Sequence, residues 1–289
     1  MLSAKNKAFS FSTFRDNKIR TVGTCYLLPH RWGKLSQWDE VDAQALARMF
    51  DYQHDHKEAT ARGKVVYIGD GDLVGLDFSC SCYQVKDRLA AAVFCGNSTA
   101  AASTVWAVVS GKDSFSFSFK CLDRELTITA EVKSNDRLFE TAQIWQFGEN
   151  PKVTETTVAG QRAVRCSFLN NYLIIEGPLT MGVDELYNSN QFEIGLQDKI
   201  AVVDGSLMPP HINFYNCNGL HGAAPQTGMA TISLISRQVD WLSRYVAAGS
   251  MATPSGVEAL PMVISDVSNR PAISIPKTQV LIEQIGVVG

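Results

Sequence analysis

Two short runs of small and polar residues hold the chemistry this chain can offer. One is Phe94-Cys95-Gly96-Asn97-Ser98-Thr99, which opens an apolar stretch from Ala100 to Val109. The other is Gly219-Leu220-His221-Gly222-Ala223-Ala224-Pro225-Gln226-Thr227-Gly228, which opens a second apolar stretch, from Met229 to Val246. A helix that is apolar on every side is a buried one. Its first turn leaves backbone N–H groups without partners at the positive end of the helix dipole. Gly96 and Gly228 let an anion approach that backbone, and Asn97, Ser98, Thr99 and Thr227 add side-chain donors. Each run is therefore expected to cradle a carboxylate or phosphate, and two cradles facing each other would grip a diacid. Cys95 stands just before the first helix, where the dipole favours thiolate over thiol, so it can act as base or nucleophile. An ordinary buried cysteine is the other reading, and the sequence leaves both open.

The elements that position these runs are mostly strands. Alternating patterns predict strands over Ala8–Phe14, Thr21–Leu28, Lys64–Ile68, Leu76–Val85, Phe115–Cys121 and Glu125–Val132. More follow over Thr141–Phe147, Val153–Val158, Arg162–Phe168, Tyr172–Glu176, Phe192–Gly195 and Lys199–Asp204, with closing strands over Pro261–Ile264, Ala272–Ile275 and Gln279–Val288. Glu40–Phe50 has helical spacing. The chain reads as a duplication, because Gly63–Asp70 answers to Asp198–Gly205, and each is followed by a small-residue run and an apolar helix. The expected fold class is α+β, with two similar domains, each a curved sheet or barrel wrapped round one central buried helix.

Bulk properties exclude several classes. The chain has 289 residues, 45 % hydrophobic and 19 % charged, enough to build a packed core. Its net charge of −3 gives no electrostatic footprint for nucleic acid. No apolar stretch is long enough for a membrane span, and the amino-terminal residues lack a secretory pattern, so a cytoplasmic location is expected. Seven scattered cysteines point to free thiols. Cys80 and Cys82 fall on one face of a strand, and a metal site there would need two further ligands. His54 and His56 lie in a polar stretch and read as solvated. No metal, nucleotide or flavin motif is present, so neither a metal nor a cofactor is expected. Arg15 and Arg20 read as a solvated turn, with carboxylate binding as the alternative.

The blocks Lys64-Val-Val-Tyr-Ile with Cys95-Gly96-Asn97, and Lys199-Ile-Ala-Val-Val with His221 and Thr227-Gly228, resemble the methylaconitate/methylitaconate isomerase family, which includes oxalomesaconate tautomerase. The resemblance implies the diaminopimelate epimerase-like fold, with an active-site cleft between two domains. It implies Lys64 and Cys95 as an acid–base pair. It places substrate binding on Gly96, Asn97 and Ser98 in one run and on Thr227, Gly228 and Met229 in the other, with Arg15 as a further match. His221 is either a carboxylate ligand or proton relay, or a packed residue near a helix start. The chain departs from the family where Arg15–Thr21 replaces a Gly-rich Arg-Gly-Gly-Thr-Ser-Lys-Gly stretch and where Arg62-Gly63 precedes the lysine. Ile282-Glu283-Gln284 replaces a carboxy-terminal Thr-Ala-Arg. Pro225 stands where the epimerase has its second cysteine, which disfavours a two-thiol racemase.

The expected domains are 1–124, with 276–289 returning to it, and 125–275. The expected activity is a cofactor-independent proton shift on a small unsaturated or keto carboxylic acid: double-bond migration, cis-trans isomerisation or tautomerisation. A racemase, epimerase or cyclase of the same fold is the alternative, and a non-catalytic ligand-binding relative the second. The partner is the small carboxylate-bearing substrate; a homodimer is left open.

Overall fold

Alternation of buried and open residues builds two sheets, and each encloses one apolar helix. The computed structural model describes residues 7–16, 18–27, 64–70, 76–86, 89–92, 94–121, 124–136, 138–189, 194–195, 198–217, 219–221, 224–264 and 270–287. The expected helix over 40–50 and the pair His54/His56 lie outside these residues. The chain forms two compact units, Met1–Trp145 with Lys277–Gly289, and Gln146–Pro276.

The first unit contains β1 (Lys7–Arg15), β2 (Lys18–Leu27), β3 (Lys64–Asp70), β4 (Phe78–Lys86), β5 (Leu89–Ala92), β6 (Ser114–Cys121), β7 (Arg124–Asn135) and most of β8 (Leu138–Phe147). It also takes the second part of the final strand, β18 (Ala272–Val287). The order β1-β2-β3-β4-β6-β7-β8-β18 closes on itself through pairing of β18 with β1. A closed sheet has no edge to protect. The helix α1 (Gly96–Ser110) touches β1, β2, β3, β4 and β7, and its residues 98–105 are all buried. Its flank is small (Gly, Ser, Thr, Ala), so backbone can approach the strands closely. Gly111 ends it in the left-handed conformation, φ 73°, which favours glycine.

Polar side chains fix that helix against β8. The Gln143 amide oxygen accepts from Thr99 Oγ1 (2.7 Å) and from Trp145 Nε1 (2.9 Å), and its nitrogen donates to Ser103 Oγ (2.9 Å). Thr104 and Thr141 share a hydrogen bond of 3.1 Å. All five hydrogen-bonding side chains that meet across the helix–strand contact are buried, and Thr99, Ser103 and Thr104 also have carbonyl acceptors within their own helix.

The second unit contains β9 (Lys152–Val158), β10 (Gln161–Ser167), β11 (Asn171–Glu176), α2 (Val183–Asn188), β12 (Lys199–Asp204), β13 (His211–Asn216) and β14 (Gly219–Leu220). Then come α3 (Gln226–Ile235), α4 (Asp240–Val246), β15 (Ser250–Thr253), β16 (Gly256–Ala259) and β17 (Met262–Ile264). The sheet runs β16-β15-β13-β12-β11-β10-β9, and every residue of α3 is buried. α2 and the chain around it cover the face that carries Leu173, Ile175, Ile200 and Val202.

The two units repeat one topology. β2 lies parallel to β3 as β11 lies parallel to β12, and β4 parallel to β6 as β13 parallel to β15. β5 hangs on β4 as β14 hangs on β13, each just before its helix. Lys64 opens β3 and Lys199 opens β12, so the two lysines are equivalent, and Cys95 and Pro225 are the equivalent helix N-caps.

Three expectations change. The division falls after Trp145 rather than after residue 124, because β7 and β8 are needed to close the first ring. The apolar stretch from Met229 to Val246 is two helices, broken by a turn at Ser236–Gln238 and restarted at Asp240. The two closing strands over 272–275 and 279–288 are one strand, with Pro276 in the gap between its ladder to β17 and its ladder to β1. A proline is tolerated there because it has no donor to give a ladder.

Candidate active site

Register, more than sequence proximity, gathers the residues at one end of the first unit. Side chains two apart on a strand share a face. Gly23, Lys64 and Gln84 are neighbours across β2, β3 and β4, and Cys25, Val66 and Cys82 form the next row. Cys82 Sγ donates to Ser98 Oγ at 3.2 Å, so this face looks onto α1. Lys64 shares the face with the buried Val66 and Ile68 and is itself half-buried. On β2, Thr21 stands two residues before Gly23, and its Oγ1 accepts from Asn97 Nδ2 at 3.0 Å. The first turn of α1 is thus tied to β2 beside the residue that pairs with Lys64. Arg15 lies two residues past Thr13, which pairs with Thr21, so it too belongs to this end.

Gly23 is required by that geometry. A Cβ on it would come within 2.2 Å of the Lys64 carbonyl oxygen and 2.9 Å of Phe11 Cζ. The absent side chain lets the start of β3 close onto β2.

Cys95 caps α1 with extended backbone, φ −137° and ψ 112°, and is half-buried. Its carbonyl oxygen accepts from the N–H groups of Ser98 (3.0 Å) and Thr99 (3.1 Å). The N–H groups of Gly96 and Asn97 are left at the open first turn, next to the thiol. Asn97 Oδ1 is buried with no hydrogen-bond partner among the described residues. The Ser98 hydroxyl, fully buried, is engaged with Cys82 in the barrel wall.

In the second unit, Thr227 Oγ1 is 3.2 Å from the Tyr172 hydroxyl. Burial pushes the Tyr172 phenol well above its ordinary range, against the opposing hydrogen bonds from Thr227 and Asn170, so it stays protonated. The Lys199 ammonium lies 5.7 Å from the centre of the Tyr172 ring. A Cβ on Gly228 would meet Phe214 Cε1 at 2.4 Å, so this position also needs glycine. The Met229 side chain is buried and its N–H donates to Pro225 O at 3.0 Å, which leaves the open donors of this turn on the residues before it. His221 is half-buried, and its N–H donates to the Phe214 carbonyl at 2.7 Å.

The structure therefore brings Arg15, Lys64, Cys95, Gly96 and Asn97 to one end of the first unit. It places His221, Thr227 and Gly228 around the start of α3 in the second. Thr21, Gly23 and Tyr172 were not singled out by sequence, since only cross-strand pairing gives them their roles. Arg20 is a correction. It is the extra residue where the β1–β2 register shifts, and its side chain is 5 % exposed rather than solvated, 3.9 Å from Asp16.

Cys25, Cys80, Cys82 and Cys166 are buried, and Cys217 is exposed. All described cysteines are free. Cys25 and Cys80 are fully buried, and burial first, neighbouring thiols second, raises both well above the ordinary thiol value. Among the described residues no group of three metal-ligating side chains occurs, and no helix is long and apolar enough to cross a membrane.

Among solved structures, methylitaconate delta-isomerase matches with a TM-score of 0.62 at 11 % identity, over 99 % of this chain and 96 % of that one. A predicted epimerase from Pseudomonas aeruginosa gives 0.56 at 10 %, over 98 % and 99 %. A hydroxyproline epimerase from Agrobacterium vitis, solved with trans-4-hydroxy-L-proline bound, gives 0.53 at 10 %, over 99 % and 92 %. No family model and no curated protein matches the sequence. The likeness to these solved structures is one of architecture, and the chain has the diaminopimelate epimerase-like fold that they share.

Proposed function

We propose that this protein is a cofactor-independent isomerase that shifts a proton along a small unsaturated or keto carboxylic acid, with Cys95 and Lys64 as the acid–base pair. The observation that carries the reading is the placement of Lys64 on the row facing α1, beside the strand segment to which Asn97 is bonded.

In this mechanism one group of the pair removes a proton from the carbon next to a carboxylate or carbonyl. The electron pair delocalises as a dienolate, and the other group returns a proton to the far carbon, so the double bond moves and no atom is gained or lost. The open N–H groups of Gly96 and Asn97 stabilise the charge that develops on oxygen, because they are already oriented before reaction. Arg15 binds a carboxylate of the substrate. In the second unit, Thr227 and Gly228 offer a further anion-holding turn, with the Thr227 hydroxyl oriented by Tyr172. Pro225 at the position equivalent to Cys95 supports chemistry with one thiol rather than two.

The test is proton exchange. A panel of unsaturated and keto di- and tricarboxylates is incubated with the protein in D₂O and followed by NMR and ultraviolet absorption. The proposal expects one compound to gain deuterium while its chromophore shifts. Deuterium gain with an unchanged chromophore would assign an epimerase instead, and exchange at the same rate in Cys95→Ala would remove the thiol from the mechanism.

A further inference from the structure

On the sheet face that α2 partly covers, a polar row lies beside Arg165. Ser167 on β10 pairs with Asn171 on β11, and Asn171 stands opposite Asp198, one step before the Tyr172–Lys199 pair. Ser167 Oγ donates to Asn171 Oδ1 (2.9 Å), and Asn171 Nδ2 donates to Asp198 Oδ1 (3.0 Å). The Gly195 N–H donates to Asp198 Oδ2 (2.8 Å). The next row on the same face holds Arg165 opposite Leu173. Arg165, Ser167, Asn171, Leu173, Ile194 and Asp198 line a cavity of about 280 Å³.

The hydrogen-bond inventory of this cavity is lopsided. Both oxygens of Asp198 already accept a bond, and Asn171 uses its oxygen and its nitrogen. Arg165 is half-buried, and among the described residues nothing hydrogen-bonds or ion-pairs with its guanidinium. A planar fork of five donors with no acceptor, held against a protein wall, calls for an anion that offers two oxygens. Leu173, 2 % exposed, and the half-buried Ile194 supply an apolar wall next to it. The Asp198 charge faces the same space, which weighs against a dianion. The volume falls just below the about 300–1,000 Å³ usual for ligand pockets, which suits only a small ligand.

We propose that this cavity binds a small monocarboxylate with an apolar tail, its carboxylate on the Arg165 fork and its tail against Leu173 and Ile194. The site contains neither Cys95 nor Lys64 and does not depend on them, although Tyr172, which contacts Thr227, also borders the cavity.

The full-length protein is titrated calorimetrically with benzoate, with benzamide and with inorganic phosphate at constant ionic strength. Saturable benzoate binding is expected, with benzamide and phosphate weaker. Arg165→Gln should weaken benzoate by at least about tenfold, the scale of one lost charge-assisted pair, while its unliganded Tm stays near that of the wild type. Ile194→Asp, which sets a negative charge on the opposite wall, should weaken it as well and gives a second route if Arg165→Gln folds poorly. Benzamide or phosphate binding as tightly as benzoate, unchanged affinity in either variant, or no saturable benzoate binding in the millimolar range would overturn the proposal.

Discussion

Cys95 and Lys64 are the residues on which the functional reading turns, and each is exposed to a simple substitution test. General acid–base groups typically contribute about 10²–10⁴ in rate, so Cys95→Ala and Lys64→Met should each lower turnover at least about a hundredfold with the fold intact by circular dichroism. Gly23 gives a sharper test of geometry, because it touches no substrate in this account. Gly23→Ala forces a Cβ against the Lys64 carbonyl. It should cost about 1–3 kcal/mol of stability, the usual scale of overpacking, and lower turnover as well, read by urea denaturation and by rate. The positions of Cys95 at the start of α1 and Lys64 at the start of β3 were legible in the sequence pattern, whereas their pairing as acid and base comes only from the family resemblance. Thr21 and Gly23 were not, because an alternating strand tells which face a residue takes but not which residue it meets. Arg20 was misread for a related reason: a register shift redirected a side chain that the turn pattern placed in solvent.

At the scale of elements, hydrogen bonds to β8 add to the packing that holds α1. Gln143→Leu keeps the volume near constant but leaves the buried Trp145 N–H without its acceptor, while the Thr99 hydroxyl can still donate to the Gly96 carbonyl. The expected loss is about 1–3 kcal/mol, measured from the urea midpoint, the usual cost of one unsatisfied buried group. The wall around the helix also predicts an alkaline limit. Cys25 and Cys80 are raised above 9.0 in the folded protein, so the folded state keeps its protons where the unfolded chain loses them. Stability is therefore full below about pH 9 and falls as the pH rises beyond it. Tyr172 adds to the fall above 10.0. The urea midpoint should fall as the pH rises above about 9, and a Cys25→Ala/Cys80→Ala protein should show a shallower fall. Both buried helices were readable from their uniform apolarity, but the break at Ser236–Gln238 was not. That turn closes through Arg237 and Gln238 N–H bonds to carbonyls three residues back, which composition does not reveal.

For the whole molecule, the repeated topology explains why so much of the architecture was readable: the same order of strand, lysine-led strand, small-residue turn and buried helix is written twice. The division between the units was less so. It depends on which strands close the first ring, and β8 and β18 each pass from one unit to the other within a single continuous strand, leaving no linker composition to mark the place. Closure itself makes a prediction. Removing Lys277–Gly289 strips β1 of a full ladder and opens an edge on β1 and β8. The truncated protein should aggregate or unfold, seen as loss of the monodisperse peak on size exclusion.

The most direct measurement is the deuterium content of recovered substrate after incubation in D₂O, compared by mass spectrometry between the wild type, Cys95→Ser and Lys64→Met. The account predicts rapid exchange at the carbons that lose and gain the proton in the wild type, and exchange slowed at least about a hundredfold in both variants. Exchange in either variant at the wild-type rate would contradict it.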